Sequence, residues 1–130
     1  MDMDERQEVL KMFKKGKFNI LITTNLLARG FDNRHVQLVV NLDVPKKYNQ
    51  PGADCEAYLH RVGRTGRFGD CGVALSIIDT EEDYERINEI GNYYEKMIPE
   101  IHDLDKLAQK VESAREMTIT ARKAMMDEDL

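Results

Sequence analysis

The apolar stretches FNILITT (residues 18–24), VQLVVNL (36–42) and VALSII (73–78) decide the fold. They are rich in valine, isoleucine and leucine, which favour β-strands. In the first two the apolar residues are nearly continuous, a pattern typical of strands that are covered on both faces of a parallel sheet. We therefore expect three parallel strands, with a short edge strand at residues 97–101.

The stretches between the strands carry apolar residues at helical spacing. The expected helices are residues 4–15, a segment from Asp54 through the arginine-rich block at 60–67, a segment after the N-cap Thr80, and a last amphipathic turn or two around Leu107. Strands that alternate with helices give an α/β fold. Beyond about residue 113 the pattern weakens, and we expect a frayed helix or disorder there.

The small number of strands indicates an incomplete domain. Three strands are few for a sheet that is buried on both faces, so the chain looks like part of a domain. We expect residues 1–112 to form this incomplete domain and residues 113–130 to be a charged C-terminal tail. An isolated chain would then carry an unpaired apolar strand edge, and we expect it to dimerise, swap strands or aggregate.

Composition and charge exclude several classes of protein. The net charge of −5 argues against a protein that coats nucleic acid through a broad positive field, so any binding of a polyanion must be local. No apolar run approaches membrane-spanning length and no signal-peptide pattern is present, so we expect an intracellular protein that binds no membrane. Cys55 and Cys71 lack the spacing of metal ligands, and we expect reduced thiols and no metal site.

The stretch HRVGRTGR (60–67) contains three arginines and one histidine with no acidic side chain. In a helix, Arg64 shares one face with both His60 and Arg67. Guanidinium groups held in this way can stabilise charge on a transferring phosphoryl group. The alternative is a solvated basic helix end whose arginines pair with acids, and the block alone does not separate the two interpretations.

The stretch TTNLLARGFD (23–32) begins where the first expected strand ends. Ligands of open α/β sheets bind at the carboxyl ends of parallel strands. Asp32 could accept hydrogen bonds from ribose hydroxyls there, while Thr23 and Thr24 could donate to phosphate oxygens. The alternative is a turn that Asp32 caps locally, with Arg29 in a surface ion pair.

Together, in this order and separated by a strand, the two stretches resemble motifs V and VI of the DEAD-box ATP-dependent RNA helicases. Residues 24–32 look like motif V, and residues 60–67 match motif VI in full, including the leading histidine that favours DEAD-box over DEAH-type proteins. Arg6 falls at the arginine of the QxxR motif, although Met3 stands in place of the glutamine. The resemblance covers roughly residues 3–112. It implies a partial RecA-like parallel sheet flanked by helices, which is the C-terminal domain of such a helicase without its first strands.

Two traits are similar to the subgroup that acts in mRNA export at the nuclear pore. Asn25 follows Thr24 where most members have aspartate, and the connection from Pro45 to Tyr58 is several residues longer than usual. This resemblance implies a protein of the nucleus or cytoplasm, and of the nuclear pore in particular, with an activator that works together with inositol hexakisphosphate. The loop at residues 46–54 is either an activator-facing insertion or surface variation, and we favour the second.

The resemblance also implies a role for each candidate residue. The residues that contact ATP would be Asp32 on the ribose and Arg64 and Arg67 on the γ-phosphate, with Arg67 favoured as the arginine finger. The residues that contact RNA phosphates, or hold the loop that does, would be Arg6, Thr23, Thr24 and Gly30. The residues that couple the two sites across the domain interface, with partners outside this chain, would be Arg29, His60 and Arg61.

The implied function is ATP-driven RNA strand separation or remodelling of RNA–protein complexes. The sequence has no G-x-x-x-x-G-K-[ST] loop and no Asp-Glu-Ala-Asp motif. ATP and its Mg²⁺ would therefore be held mainly by an N-terminal RecA-like domain that is missing here, and we expect the chain alone not to hydrolyse ATP. The alternative function is a non-enzymatic truncated module that binds a helicase activator or a nuclear-pore partner.

Overall fold

The computed structural model describes residues 2–25, 36–63 and 72–128, apart from the side chains of residues 121, 122 and 125. Helices and strands alternate through the first part of the chain, and two helices close it. In chain order the elements are α1 (Met3–Lys14), β1 (Leu38–Asn41), α2 (Cys55–Val62), β2 (Val73–Ser76), α3 (Glu81–Tyr93) and α4 (Leu104–Glu128).

The helix starts follow from local capping chemistry. Asp2 and Glu5 form a capping box on α1, with the Glu5 N–H donating to the Asp2 carboxylate over 2.8 Å. Asp54 caps α2 through the N–H of Ala57, and Thr80 caps α3 as expected from the sequence. These three residues satisfy backbone N–H groups that have no partner inside the helix.

The sheet consists of β1 and β2, which pair in parallel over four residues each, from Leu38 opposite Val73 to Asn41 opposite Ser76. The chain between them includes α2, as a parallel connection requires. The predicted α/β class is therefore confirmed. The expectation that both faces of the sheet are covered is wrong for the described residues, because the side chains of Leu38 and Val40 are 39% and 44% exposed.

The best-packed part of the described chain lies beside the sheet, where the loop after β1 meets α3. Its fully enclosed residues are Val44, Ala53, Ile87 and Ile90, with exposed fractions between 0% and 8%. Tyr94 packs against this cluster, and its hydroxyl donates to the carbonyl of Cys55 over 2.7 Å.

The loop at residues 45–54 is closed at its base. Lys46 and Ala53 form an antiparallel bridge, and the N–H of Asp54 donates to the Pro45 carbonyl over 2.9 Å. Gly52 has a φ of 108°, a conformation that other residues rarely adopt, and a Cβ there would lie 3.3 Å from a Glu89 oxygen. The base of the loop is thus part of the core, whereas its tip at residues 46–51 is exposed.

Two predicted strands are wrong. Residues 18–24 form no regular element, and the side chains of Ile20 and Ile22 are 79% and 86% exposed. Residues 97–101 are likewise irregular. A strand requires a hydrogen-bonding neighbour, and β-rich composition does not supply one. The expected self-association of an isolated chain stays a prediction, and these exposed isoleucines support it.

The predicted ends of two helices also differ from the structure. The helix predicted to run through the arginine-rich block ends at Val62, with Gly63 as its C-cap. The last helix is longer than the expected turn or two, because α4 continues for 25 residues to Glu128. It packs against β2, and its half-buried or buried residues recur at helical spacing at Leu107, Val111, Ala114 and Thr118. Residues 113–128 are therefore helical, and the assignment of 113–130 to a separate tail stays a prediction.

Candidate functional site

The predicted site residues divide into those that the structure describes and those that it does not. Arg6 lies half-buried in the first turns of α1, and Thr23 and Thr24 are exposed in the irregular segment that follows it. His60 and Arg61 form the last turn of α2. The predictions for Arg29, Gly30, Asp32, Arg64 and Arg67 lie outside the described residues.

Arg61 is the residue that joins the two functional stretches. Its Nε donates to the side-chain oxygen of Asn25 over 2.7 Å, and one terminal nitrogen donates to the main-chain carbonyl of Asp43 over 2.8 Å. The same nitrogen lies 3.3 Å from the Asp43 carboxylate. These three contacts of Arg61 lie within the chain, and its expected coupling across the domain interface stays a prediction.

The contacts of Arg61 with Asn25 and Asp43, which we call the Arg61 joint, are electrostatically asymmetric. The Arg61 side chain is only 16% exposed, whereas that of Asp43 is 74% exposed. Water therefore screens the ion pair, and an exposed pair of this kind contributes at most about 1 kcal/mol. The shorter contacts to Asn25 and to the Asp43 carbonyl are charge-assisted at the arginine. The direction of the guanidinium is thus set mainly by these two neutral acceptors.

His60 lies one residue away on α2 with a weaker neighbour. Its Nε2 is 3.9 Å from a carboxylate oxygen of Glu56, one helical turn earlier. This distance is too long for a hydrogen bond. Thr23 makes a local contact, with its hydroxyl donating to the Thr24 carbonyl over 3.1 Å.

A buried polar group lies where the two strands end. The side-chain amide of Asn41, which is 3% exposed, donates to the Ser76 hydroxyl over 3.2 Å, and Ser76 also interacts with the side chain of Tyr58. Burial raises the pKa of Tyr58, and the contact with Ser76 opposes that rise. The group ties α2 to the carboxyl edge of the sheet, where ligands of such folds bind.

The sequence interpretation missed Asp43, Asn41 and Ser76. One signal was available, since all three lie at or just after the ends of strands in a fold that binds ligands at that edge. Their partners lie far away along the chain, however, since Asp43 is 18 positions from Arg61 and Asn41 is 35 positions from Ser76. No local pattern reports such distances.

Among the described residues, no three His, Cys, Asp or Glu side chains are grouped so that they could hold a metal ion. The side chains expected to contact ATP fall in the undescribed stretches 26–35 and 64–71. Two described residues lie immediately before these stretches. Asn25 immediately precedes the first stretch, and Gly63, two residues after Arg61, precedes the second. No helix in the described part of the chain could span a membrane.

Comparison with known proteins identifies the class. The helicase conserved C-terminal domain matches residues 1–69, more than half of the 130 residues. The chain belongs to this family of helicase C-terminal domains. The resemblance to DEAD-box RNA helicases is thereby confirmed at the level of the domain.

The more specific likeness is to helicases named Dbp5. An ATP-dependent RNA helicase dbp5 of Botryotinia fuckeliana is 50% identical over 91 residues, which cover 69% of this chain and 19% of the relative. The structure of S. cerevisiae Dbp5 bound to RNA and ADP BeF3 has a TM-score of 0.81 and 35% identity, and the match covers 88% of this chain and 30% of that one. This likeness confirms the predicted RecA-like architecture and the DEAD-box subgroup.

A further structure shows a variant of S. cerevisiae Dbp5 bound to Nup159, a Gle1 variant, IP6 and ADP. Its TM-score is 0.69 at 32% identity, and the match covers 89% of this chain and 30% of that one. The chain spans about a fifth to a quarter of the length of the curated relatives that it matches.

Proposed function

We propose that this chain acts as the C-terminal part of an ATP-dependent RNA helicase of the Dbp5 type. In that role it supplies arginine fingers, a ribose contact and RNA-backbone contacts to a cleft completed by an N-terminal RecA-like domain. The observation that carries the proposal is the Arg61 joint, which brings the starts of the two motif-bearing stretches to one edge of the sheet.

Within the cleft, the residues of the two undescribed stretches would meet the nucleotide. Arg64 and Arg67 would stabilise negative charge on the γ-phosphate as it leaves, and Asp32 would accept hydrogen bonds from the ribose. ATP would bring the group to be transferred, and its Mg²⁺ would be held by carboxylates of the N-terminal domain. The chain's own contribution is to place fixed positive charge against the phosphate.

RNA would bind across the same edge through its phosphates. Thr23, Thr24, Gly30 and Arg6 would contact the backbone or hold the segment that does. Such contacts position a strand without reading its bases. Arg29 and His60 would transmit nucleotide-dependent closure between the two domains, which separates an RNA duplex or remodels an RNA–protein complex.

The partners of the relatives suggest where such a helicase works. Since one Dbp5 structure contains Nup159, a Gle1 protein and IP6, the proposed function includes an activator of that kind, inositol hexakisphosphate, and a role in mRNA export at the nuclear pore. The exposed tip of the loop at 46–51 is available to such a partner, but nothing on its surface selects one.

The test is a two-domain protein that joins this chain to the upstream sequence of a Dbp5 relative, which includes the N-terminal domain and the first strands of the C-terminal one. We expect ATP hydrolysis that RNA stimulates, and a loss of about 10³–10⁵-fold in kcat for Arg67→Ala, the range in which arginine fingers act. Nucleotide binding, followed with a fluorescent ATP analogue, should persist in the variant. The matched control is Arg86→Ala on α3, an arginine that pairs only within its own helix with Glu82 and Asp83, and it should retain activity.

The chain alone should show no ATP turnover, because it lacks a phosphate-binding loop of the Walker type. Turnover by the pure chain would contradict this part of the proposal. A two-domain protein that binds Gle1 but hydrolyses nothing with RNA would favour the non-enzymatic binding module instead.

A further inference from the structure

We propose that Asn25 and Asp43 are positioning residues that hold the Arg61 guanidinium, and that Asn25 keeps this joint weaker than an aspartate would. This inference rests on the proposed function. It assigns Arg61 to an internal joint of the C-terminal domain, and it gives the unusual Thr24-Asn25 pair a physical role.

The contacts define a joint between three parts of the chain. Arg61 belongs to the last turn of α2, Asn25 ends the segment after α1, and Asp43 lies two residues beyond β1. The guanidinium reaches Asn25 with Nε and Asp43 with a terminal nitrogen, over 2.7 and 2.8 Å. A planar fork can serve two acceptors in different directions, whereas a lysine ammonium at the end of a flexible stem has no such fixed geometry.

The joint lies beside the start of both undescribed stretches. Asn25 immediately precedes residues 26–35, and Arg61 lies three residues before residues 64–71. Proximity effects in catalysis depend on fixed geometry, because misplacement by about 1 Å can cost on the order of 100-fold in rate. Loss of the joint should therefore reduce the rate of the chemical step without removing any group that touches ATP.

The amide at position 25 sets the strength of the joint. Arg61 faces one carboxylate, Asp43, which is mostly exposed, and one neutral oxygen from Asn25. An aspartate at position 25 would place a second carboxylate beside the guanidinium and add an ionic attraction that the neutral amide lacks. Asn25 thus fixes the direction of the guanidinium while holding it less strongly than an aspartate would.

The experiment uses the two-domain protein with Asn25→Leu, Asn25→Asp, Arg61→Lys and the double variant Asn25→Leu/Arg61→Lys. We expect Asn25→Leu and Arg61→Lys each to lower the RNA-stimulated kcat at least tenfold while KM for ATP changes less than threefold. The double variant should be no worse than Arg61→Lys alone, because both changes remove the same joint. Asn25→Asp should keep the single-turnover rate constant of the unaltered protein, because its carboxylate accepts the same hydrogen bond.

The matched control is Asn88→Leu, the same change at an exposed position of α3, and it should leave kcat unaltered. The Tm of every variant separates positioning from general stability. The inference is overturned if the losses in kcat follow the losses in Tm, or if the effects of the two single changes add in the double variant. It is also overturned if Asn25→Asp lowers the single-turnover rate constant as Asn25→Leu does.

Failure of the proposed function would be visible separately, since the unaltered two-domain protein would then lack RNA-stimulated hydrolysis. In that case the inference is decided on the chain by itself, through a double-mutant cycle in urea unfolding. A coupling of fivefold or more between Asn25 and Arg61 in the unfolding equilibrium supports the joint, and additivity of the two changes refutes it.

Discussion

The buried cluster of Val44, Ala53, Ile87 and Ile90 and the segment at residues 18–24 each contain two isoleucines, yet their environments are opposite. Ile90 is completely buried, whereas Ile22 is 86% exposed. The difference is in the neighbours. Around Ile90 a closed loop and two helices meet, while residues 18–24 form no strand in the described part of the chain. Apolar composition therefore states what a segment could bury, and the surrounding elements decide whether it does.

The largest expected difference between the two regions is in the free energy of unfolding when one isoleucine in each is truncated. Ile90→Ala should lower the free energy of unfolding by about 2–5 kcal/mol, because it removes buried groups and leaves a cavity. The matched change Ile22→Ala should alter it by less than about 0.5 kcal/mol, as expected for an exposed side chain. Urea unfolding followed by far-UV circular dichroism measures both. Equal effects would mean that residues 18–24 pack more tightly in solution than in this structure.

The next effect concerns the carboxylate that anchors the loop to the cluster. Glu89 accepts a hydrogen bond of 2.9 Å from the N–H of Ala53, a residue with no exposed surface. Glu89→Ala should leave this buried donor without a partner and cost about 1–3 kcal/mol. Glu85→Ala, at an exposed position one turn earlier on α3, is the control and should be close to neutral. A neutral Glu89→Ala would show that water replaces the carboxylate.

A smaller effect compares the N-cap of α3, the helix of the buried cluster, with the N-cap of α1, the helix that precedes residues 18–24. Thr80→Ala removes the hydroxyl that accepts from the Asp83 N–H over 3.1 Å, and it should cost about 1 kcal/mol. Asp2→Ala removes a cap from α1, which has no fully buried residue, so α1 should fray without unfolding the cluster. Hydrogen exchange should accordingly quicken throughout the molecule for Thr80→Ala and only in α1 for Asp2→Ala.

The smallest expected effect is on proton binding by Cys55, which packs against the cluster. Burial raises the pKa of its thiol above the ordinary 9.0, and the Glu89 carboxylate raises it further. In a Cys71→Ser background, iodoacetamide should therefore modify Cys55 more slowly in the folded protein than in urea. Glu89→Gln should lower this pKa and speed the reaction.

The sign of the accompanying change in stability follows from linkage. Because the folded protein keeps the thiol proton to higher pH than the unfolded chain, the free energy of unfolding should fall as pH rises from about 9 through the folded pKa. The comparison between Cys55→Ser/Cys71→Ser and Cys71→Ser isolates this contribution. A free energy that rises with pH over that interval would contradict the direction of the shift.

Local chemistry in the sequence predicted much of the fold. The N-cap Thr80 and the apolar runs of β1 and β2 correspond to observed features. Residues 18–24 could not be judged from their own composition, since pairing depends on another segment. The length of α4 was underestimated because its apolar pattern weakens after residue 113, although Ala, Arg, Lys and Met there are strong helix formers.

The candidate site was predictable in kind and not in geometry. The two motif-bearing stretches indicated Arg61 as a functional residue from the sequence alone. Its partners Asn25 and Asp43 could not be inferred, because they lie 36 and 18 positions from Arg61 along the chain. The one clue, that Asn25 replaces a common aspartate, indicated a subgroup and not a contact.

The continuous helix α4 has a mechanical consequence. Its 25 residues make a rod about 37 Å long, of which the last ten residues, about 15 Å, follow the buried Thr118. The described side chains beyond residue 120 are exposed. In a rod that is held at one end, a small rotation at the held end produces a larger displacement at the free end. A molecule bound at the far end of α4 could therefore shift β2 and the neighbouring edge of the sheet by displacing the helix.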